Sequence, residues 1–287
     1  MTDRPPRVAA IHGLAGFGRS SLAVVAPTLS AMGIQVCPVP TAVLSTHTGG
    51  LGEVEYRDLT DYIRPCFEHY QRLELGFEGI YSGFLSNPSQ ADDVAAFIAA
   101  WPDALAVVDP VMGDHGKPYR TCTPALMERM RSLVRSAAVI TPNPTEAAIL
   151  LGEPYRPEPL ARQPLKSMLA RLGELGPRHV VITGVELASG ECATVGYDRG
   201  RNAFWYVEYE YVPAAYPGTG DIFASVLTGA MLRGDSFPIA MARATRFVEL
   251  AIKTTFSYGT DTRYGVMFER CLGWLTHDEI LKGYKPL

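Results

Sequence analysis

The sequence predicts an α/β fold in which a mostly parallel sheet is covered by helices. Three observations predict it. Short apolar runs alternate with helix-period segments along the chain, the pattern of stacked βαβ units. Several runs are continuously apolar, as strands buried on both faces are. Polar and glycine-rich clusters follow the runs, where the carboxyl ends of parallel strands gather ligands.

The elements follow in order. Residues 8–12 read as a buried strand, succeeded by Gly13-Leu14-Ala15-Gly16-Phe17-Gly18 and a helix over 20–32. Residues 34–39 form a second strand, 58–73 a helix, 79–82 a strand and 89–100 a helix. The run 105–109 ends in a carboxylate and precedes a helix over 124–135. A strand at 138–141, a helix from Thr145, a helix over 165–175 and a strand at 179–183 continue the alternation. Two alternating segments, 192–197 and 203–211, flank Asp198-Arg199-Gly200-Arg201-Asn202 and predict a hairpin. From Gly218 the chain reads as largely helical to about Arg270. With no composition break, repeat or low-complexity linker, residues 1–287 read as one domain.

Composition narrows the function classes. Hydrophobic residues make up 47% and charged residues 20%, which suits a globular core and argues against disorder. A formal charge of −4 gives no reason to expect nucleic acid, whose binders present basic surfaces. The five cysteines are scattered without a C-x-x-C pair and read as reduced thiols. No run approaches the roughly 18 apolar residues of a membrane span, and the first residues lack a signal peptide's apolar stretch. A soluble, cytoplasmic protein without a membrane partner is expected.

Gly218-Thr219-Gly220-Asp221 opens an apolar run with helical spacing. A helix start presents unpaired N–H groups and the positive dipole end, which favour an anion. Glycines let a phosphate approach the backbone, and Asp221 puts a carboxylate beside it to take a proton from an attacking hydroxyl. The plainer alternative is that Thr219 or Asp221 only caps the helix. Asp109-Pro110-Val111-Met112-Gly113-Asp114 holds two carboxylates around a turn, hard oxygens of the kind Mg²⁺ takes. In Thr141-Pro142-Asn143-Pro144-Thr145-Glu146, Asn143 or Thr145 can cap the following helix and Glu146 suits its positive end, and spacing favours this capping over orientation of metal-bound water by Asn143 and Glu146. Ser45-Thr46-His47-Thr48-Gly49-Gly50 is a polar patch fit for a turn or a small polar ring, and His12 closes the first strand.

Two motifs are missing. Gly113-Asp114-His115-Gly116-Lys117 lacks the spacing and hydroxyl of a P-loop, and Gly13 to Gly18 reverses the dinucleotide fingerprint. No acidic residue follows about 20 residues later on a strand end. A dinucleotide oxidoreductase is a weak alternative.

In order and spacing, the motifs at 109–114, 141–146 and 218–221 resemble the ribokinase-like superfamily, and 45–49 with Tyr81-Ser82-Gly83-Phe84-Leu85 resemble its pyridoxal (vitamin B6) kinases. The resemblance spans about 8–255 and implies a three-layer α/β/α sandwich. It further implies transfer of the γ-phosphoryl of ATP to the 5′-hydroxymethyl group of pyridoxal, pyridoxamine or pyridoxine, with Mg²⁺ and K⁺ or another monovalent cation, in a homodimer. By resemblance, Asp221 is the base, and Gly218, Thr219 and Gly220 form the anion hole. Asp109, Thr141 and Glu146 surround the metal ions. Asp114 meets the phosphates, and Asn143, Thr183 and Gly184 meet the nucleotide. Tyr216 and Pro217 wall the adenine side. His12, Ser45, Thr48 and Tyr81 hold the pyridine ring, and Tyr119 lies in a lid. The chain departs from the family at His12, often Ser, at Thr46, usually Asn, and at Gly184, commonly a small hydroxyl residue. The rival readings are a hydroxymethylpyrimidine kinase and a non-catalytic vitamer-binding protein.

Overall fold

A computed structural model describes residues 4–276 and 283–287. The strands are β1 (Arg7–Phe17), β2 (Gln35–Thr46), β3 (Tyr56–Asp58), β4 (Gly79–Ser82), β5 (Leu105–Val108), β6 (Gly113–Asp114), β7 (Lys117–Pro118), β8 (Val139–Ile140), β9 (His179–Glu186), β10 (Cys192–Asp198), β11 (Ala203–Tyr209) and β12 (Tyr284–Pro286). The helices are α1 (Leu22–Ala31), α2 (Thr60–Arg72), α3 (Pro88–Ala100), α4 (Pro124–Leu133), α5 (Pro144–Leu151), α6 (Arg162–Glu174), α7 (Thr219–Leu232) and α8 (Phe237–Ser257).

Ten strands form one sheet in the order β12-β11-β10-β9-β8-β5-β4-β1-β2-β3. The six from β9 to β2 pair in parallel, and antiparallel strands finish both edges. β6 and β7 make a separate small hairpin.

The strand period of two divides each strand between two cores. On β1, Ala9 and Ile11 join the layer of α2 to α6, while Val8 and Ala10 face α1, α7 and α8. Ile80 and Tyr81 split in the same way, as do Val108 and Val107, Ile140 and Val139, and Val180 and Val181. Helices therefore cover both faces, and the expected α/β/α layering is observed. Among the described residues no helix is long and apolar enough to cross a membrane. All five cysteines are free.

Three sequence expectations need correction. β1 does not stop at residue 12 but runs to Phe17, pairing with an equally lengthened β2 through an irregularity between His12 and Leu14. Gly13 to Gly18 is therefore mostly strand, not a loop between the first strand and its helix, which removes the structural basis of the dinucleotide reading. Short polar strands in the sequence, β3, β6 and β7, carried too few residues to show a period. The final helical stretch ends at Ser257, and 3-10 turns at Thr262–Tyr264, Phe268–Arg270 and Leu272–Thr276 replace it.

A Cβ at Gly196 would stand 2.7 Å from Met241 Sδ and 3.0 Å from the Phe237 ring, where α8 crosses β10. Gly196→Ala is expected to destabilise the fold by about 1–3 kcal/mol through overpacking. A thermal midpoint equal to wild type would show instead that both side chains yield freely.

Candidate active site

The site begins with strand phase. Ile11, Ser82, Val108 and Ile140 form one paired row across β1, β4, β5 and β8. One residue past that row stand His12, Gly83, Asp109 and Thr141, continuing on the α7 face that Ala10, Tyr81, Val107 and Val139 occupy below. Backbone bonds hold these ends in step: Gly83 N–H donates to Ile11 C=O, Asp109 N–H to Ser82 C=O and Thr141 N–H to Val108 C=O. Four residues from distant parts of the chain thus share one ledge at the carboxyl edge of the sheet.

α7 starts over this ledge. Gly218 takes φ 80°, and a Cβ there would lie 2.0 Å from Arg19 O, so the helix start seats directly against that loop. Capping does not explain the motif. Thr219 Oγ1 donates backward to Tyr216 C=O, and α7 has no side-chain cap. Asp221 turns away from its own helix: His12 Nε2 lies 3.0 Å from Oδ1, and Ser21 N–H donates to Oδ2 at 2.6 Å. Burial would raise the Asp221 carboxyl, but the His12 ring and the Ser21 amide outweigh it and hold it below the usual range.

Asp109 meets the opposite balance. Burial and the facing Asp221 carboxylate push it from the usual 3.8 up to about 7, against the pull of the Thr141 hydroxyl, which donates to Oδ1 at 3.0 Å. Glu146 is driven well above the carboxylate range by burial and by Asp109, even though backbone amides bind it. Its two oxygens accept from Met112 and Asn143 N–H, and Asn143 Oδ1 accepts from Glu146 N–H. This is the capping box that spacing favoured. Asn143 Nδ2 also donates to Gly113 C=O, and Gly116 N–H donates to Thr145 Oγ1, docking the β6–β7 hairpin onto α5.

Other expected residues are distributed around this centre. Asp114 is exposed on the hairpin. Tyr119 is 41% exposed beyond it, its hydroxyl raised by burial and by the carboxylates of Glu146, Asp114, Asp109 and Asp221, so it overlooks the cluster. Thr183 N–H donates to Pro142 C=O, and Gly184, at φ 68°, stands where the pairing of β9 with β10 shifts register. Tyr216 lines a cavity of about 540 Å³ with Pro213, Ala214, Phe256, Thr260 and Thr262. Pro217 follows it directly into Gly218. Ser45 and Thr48 are exposed at the far end of β2, and Ser45 Oγ accepts from Glu55 N–H.

Two residues expected to hold the ring are deeply buried. Tyr81 is wholly buried on the α7 face just below the ledge, beside His12, and its hydroxyl has no hydrogen-bond partner among the described residues. His12 is 1% exposed, and its ring nitrogens face Gly13 and Asp221 rather than the cleft. Sequence reasoning missed Ser21, which holds Asp221 through a backbone amide that leaves no residue-type signal. It also missed His47 as a strut, its Nε2 2.6 Å from Arg263 C=O across the chain.

Comparison with known proteins follows this geometry. A family model described as phosphomethylpyrimidine kinase matches residues 27–265. A Bacteroides thetaiotaomicron protein assigned to the phosphomethylpyrimidine kinases, crystallised with pyridoxal, is 42% identical and superposes with a TM-score of 0.94, covering 99% of this chain and 100% of that one. A pyridoxine/pyridoxal/pyridoxamine kinase of Bordetella bronchiseptica is 27% identical over 277 residues, 90% of this chain and 93% of its own. A hydroxymethylpyrimidine/phosphomethylpyrimidine kinase of Streptomyces coelicolor is 28% identical over 266 residues, 89% of this chain and 91% of its own.

The raised carboxyls imply a signed pH effect. Between the usual 3.8 and about 7, the folded state keeps the Asp109 proton that the unfolded chain has lost, so stability falls as pH rises through that window and levels above it. In metal-free buffer, the midpoint gain of Asp109→Asn over wild type should widen from about pH 4 to about pH 7 and then stay flat. Melting curves that differ by a constant amount at every pH would contradict this. Gly218→Ala should push back the Arg19–Ser21 loop, and turnover should fall at least about tenfold, the scale on which displaced catalytic groups lose rate. Full activity in that variant would show that the loop position is not needed.

Proposed function

The chain belongs to the phosphomethylpyrimidine kinase family, phosphotransferases with an alcohol acceptor, and on that premise we propose that it phosphorylates the 5′-hydroxymethyl group of a vitamin B6 vitamer with ATP. The observation that carries this reading is the carboxylate of Asp221: it sits in the first turn of α7, caps nothing, and is kept ready to accept a proton beside a glycine-flanked helix start. Asp221 takes the hydroxymethyl proton as that oxygen attacks the γ-phosphorus, and the bond to the bridging oxygen of ADP breaks. The first-turn amides of Gly218, Thr219 and Gly220, with the helix dipole, stabilise charge on the transferring group.

The nucleotide is read along the edge of the sheet. The cavity beside Tyr216 and Pro217 suits a purine, with Thr183, Gly184, Asn143 and Asp114 along the phosphates. Ser45, Thr48 and Tyr119 are the acceptor contacts in this reading. The donor set fits a hard divalent cation, because Asp109, the Thr141 hydroxyl bound to it and Glu146 are buried oxygen donors at one edge of the sheet. Asp109, Thr141 and Glu146 would hold Mg²⁺ and a monovalent ion, which when bound neutralise charge on the phosphates. Within the same proposal the protein acts as a homodimer in the cytoplasm.

The second reading is a hydroxymethylpyrimidine or phosphomethylpyrimidine kinase, favoured by the family description and the Streptomyces relative. The pyridoxal bound by the Bacteroides protein supports the first. ADP release from ATP, Mg²⁺ and K⁺, measured with each vitamer and with hydroxymethylpyrimidine in turn, separates them. Turnover with pyridoxal, pyridoxamine or pyridoxine is expected; turnover with the pyrimidine alone would transfer the assignment. Asp221→Asn should lower kcat at least about 10²-fold with ATP affinity little changed, the loss typical of a general base.

A further inference from the structure

We propose that His12 is a positioning residue: together with the backbone of Ser21 it fixes the Asp221 carboxylate in one orientation before either substrate arrives, and it does not contact the acceptor. The inference deepens the phosphotransfer reading and rests on Asp221 being its base.

The hydrogen bonds assign the ring's proton. Gly13 N–H lies 2.8 Å from His12 Nδ1, and an amide nitrogen can only donate, so Nδ1 accepts and carries no proton. The proton is therefore on Nε2, which donates to Asp221 Oδ1 at 3.0 Å. The Phe84 N–H also points at Nε2, at 3.4 Å, but the Gly13 bond to Nδ1 is much shorter at 2.8 Å, and the shorter bond sets the tautomer.

The ring has no freedom to turn. A Cβ at Gly83 would fall 2.1 Å from His12 Cδ2 and Nε2, so only glycine there leaves room for the imidazole. Tyr81 meets the ring edge to face, centroids 5.9 Å apart. On the other oxygen, Ser21 donates from a backbone at φ 57°, a conformation non-glycine residues rarely hold unless the surroundings impose it. Two rigid donors, one on each oxygen, fix the plane of the carboxylate. They also fix the fate of the proton. Nε2 already bears one and Nδ1 is engaged with Gly13, so His12 does not take up the proton that Asp221 accepts.

The test uses three variants of the full chain, each checked for folding by thermal melting. His12→Phe keeps the aromatic bulk and removes the donor; His12→Gln keeps an N–H donor; Gly83→Ala displaces the ring while leaving it intact. His12→Phe and Gly83→Ala should lower kcat about 10- to 100-fold while KM for acceptor and ATP stays within about threefold, and His12→Gln should recover most of the loss. A His12→Phe kcat within about twofold of wild type, or a loss confined to acceptor KM, would overturn the proposal. Imidazole nitrogen NMR of wild type supplies a readout independent of turnover. The Nε2–H tautomer should persist with and without acceptor, and an Nδ1–H or doubly protonated ring would equally overturn it. Should wild type phosphorylate no acceptor offered, the functional reading fails, while the NMR signature still decides the role of His12.

Discussion

Burying Asp221 while keeping it ionised is the constraint on which this end of the molecule depends. A carboxylate removed from water is strongly disfavoured unless donors replace its hydration. Here two replace it, the His12 imidazole and the Ser21 amide, and each imposes a demand further out. His12 needs Gly13 N–H to set its tautomer, which requires β1 to continue past its last paired row with β4. It needs Gly83 to lack a side chain. Ser21 must hold a left-handed backbone, and α7 must begin against Arg19, which only a glycine at 218 in the left-handed region permits.

The neighbouring carboxylates are treated in the opposite way. Asp109 and Glu146 are as deeply buried as Asp221, yet burial, with repulsion from Asp221 on Asp109 and from Asp109 on Glu146, prevails there over the hydroxyl and amides that bind them. One side of the cleft thus keeps its charge through protein donors, while on the other burial favours the protonated carboxyl. The proposed phosphoryl transfer would use that asymmetry, with Asp221 as base on one side and a cation at the other. Glu146 serves both structure and charge: as the N3 residue of a capping box it starts α5, and through Met112 and Asn143 it fastens the segment leading into the β6–β7 hairpin.

Much of this was legible beforehand because strand phase and helix starts are local. The apolar runs ending at Asp109 and Thr141 already place both residues on a strand edge, and a cap at Asn143 or Thr145 was legible, with the structure choosing Asn143. The burial of Tyr81 was not legible, because a motif position does not reveal how fully helices close over a central strand. The extension of β1 through Gly13 to Phe17 was hidden since glycines signal a turn, whereas here they keep the strand slim beside β2.

The sequence alone determined the alternation of strands and helices, the glycine-led start of α7 and the set of carboxylates gathered at the strand ends, because each rests on periodicity or on chemistry within a few neighbouring residues. Only the tertiary structure decided that Asp221 abandons its own helix for partners some 200 positions earlier in the chain, as the separations of 209 and 200 from His12 and Ser21 record. It alone decided that Asp109 and Asp221 are driven in opposite directions. Both outcomes depend on distance and solvent exclusion between segments remote in sequence, and electrostatic energy is set by those quantities rather than by residue order.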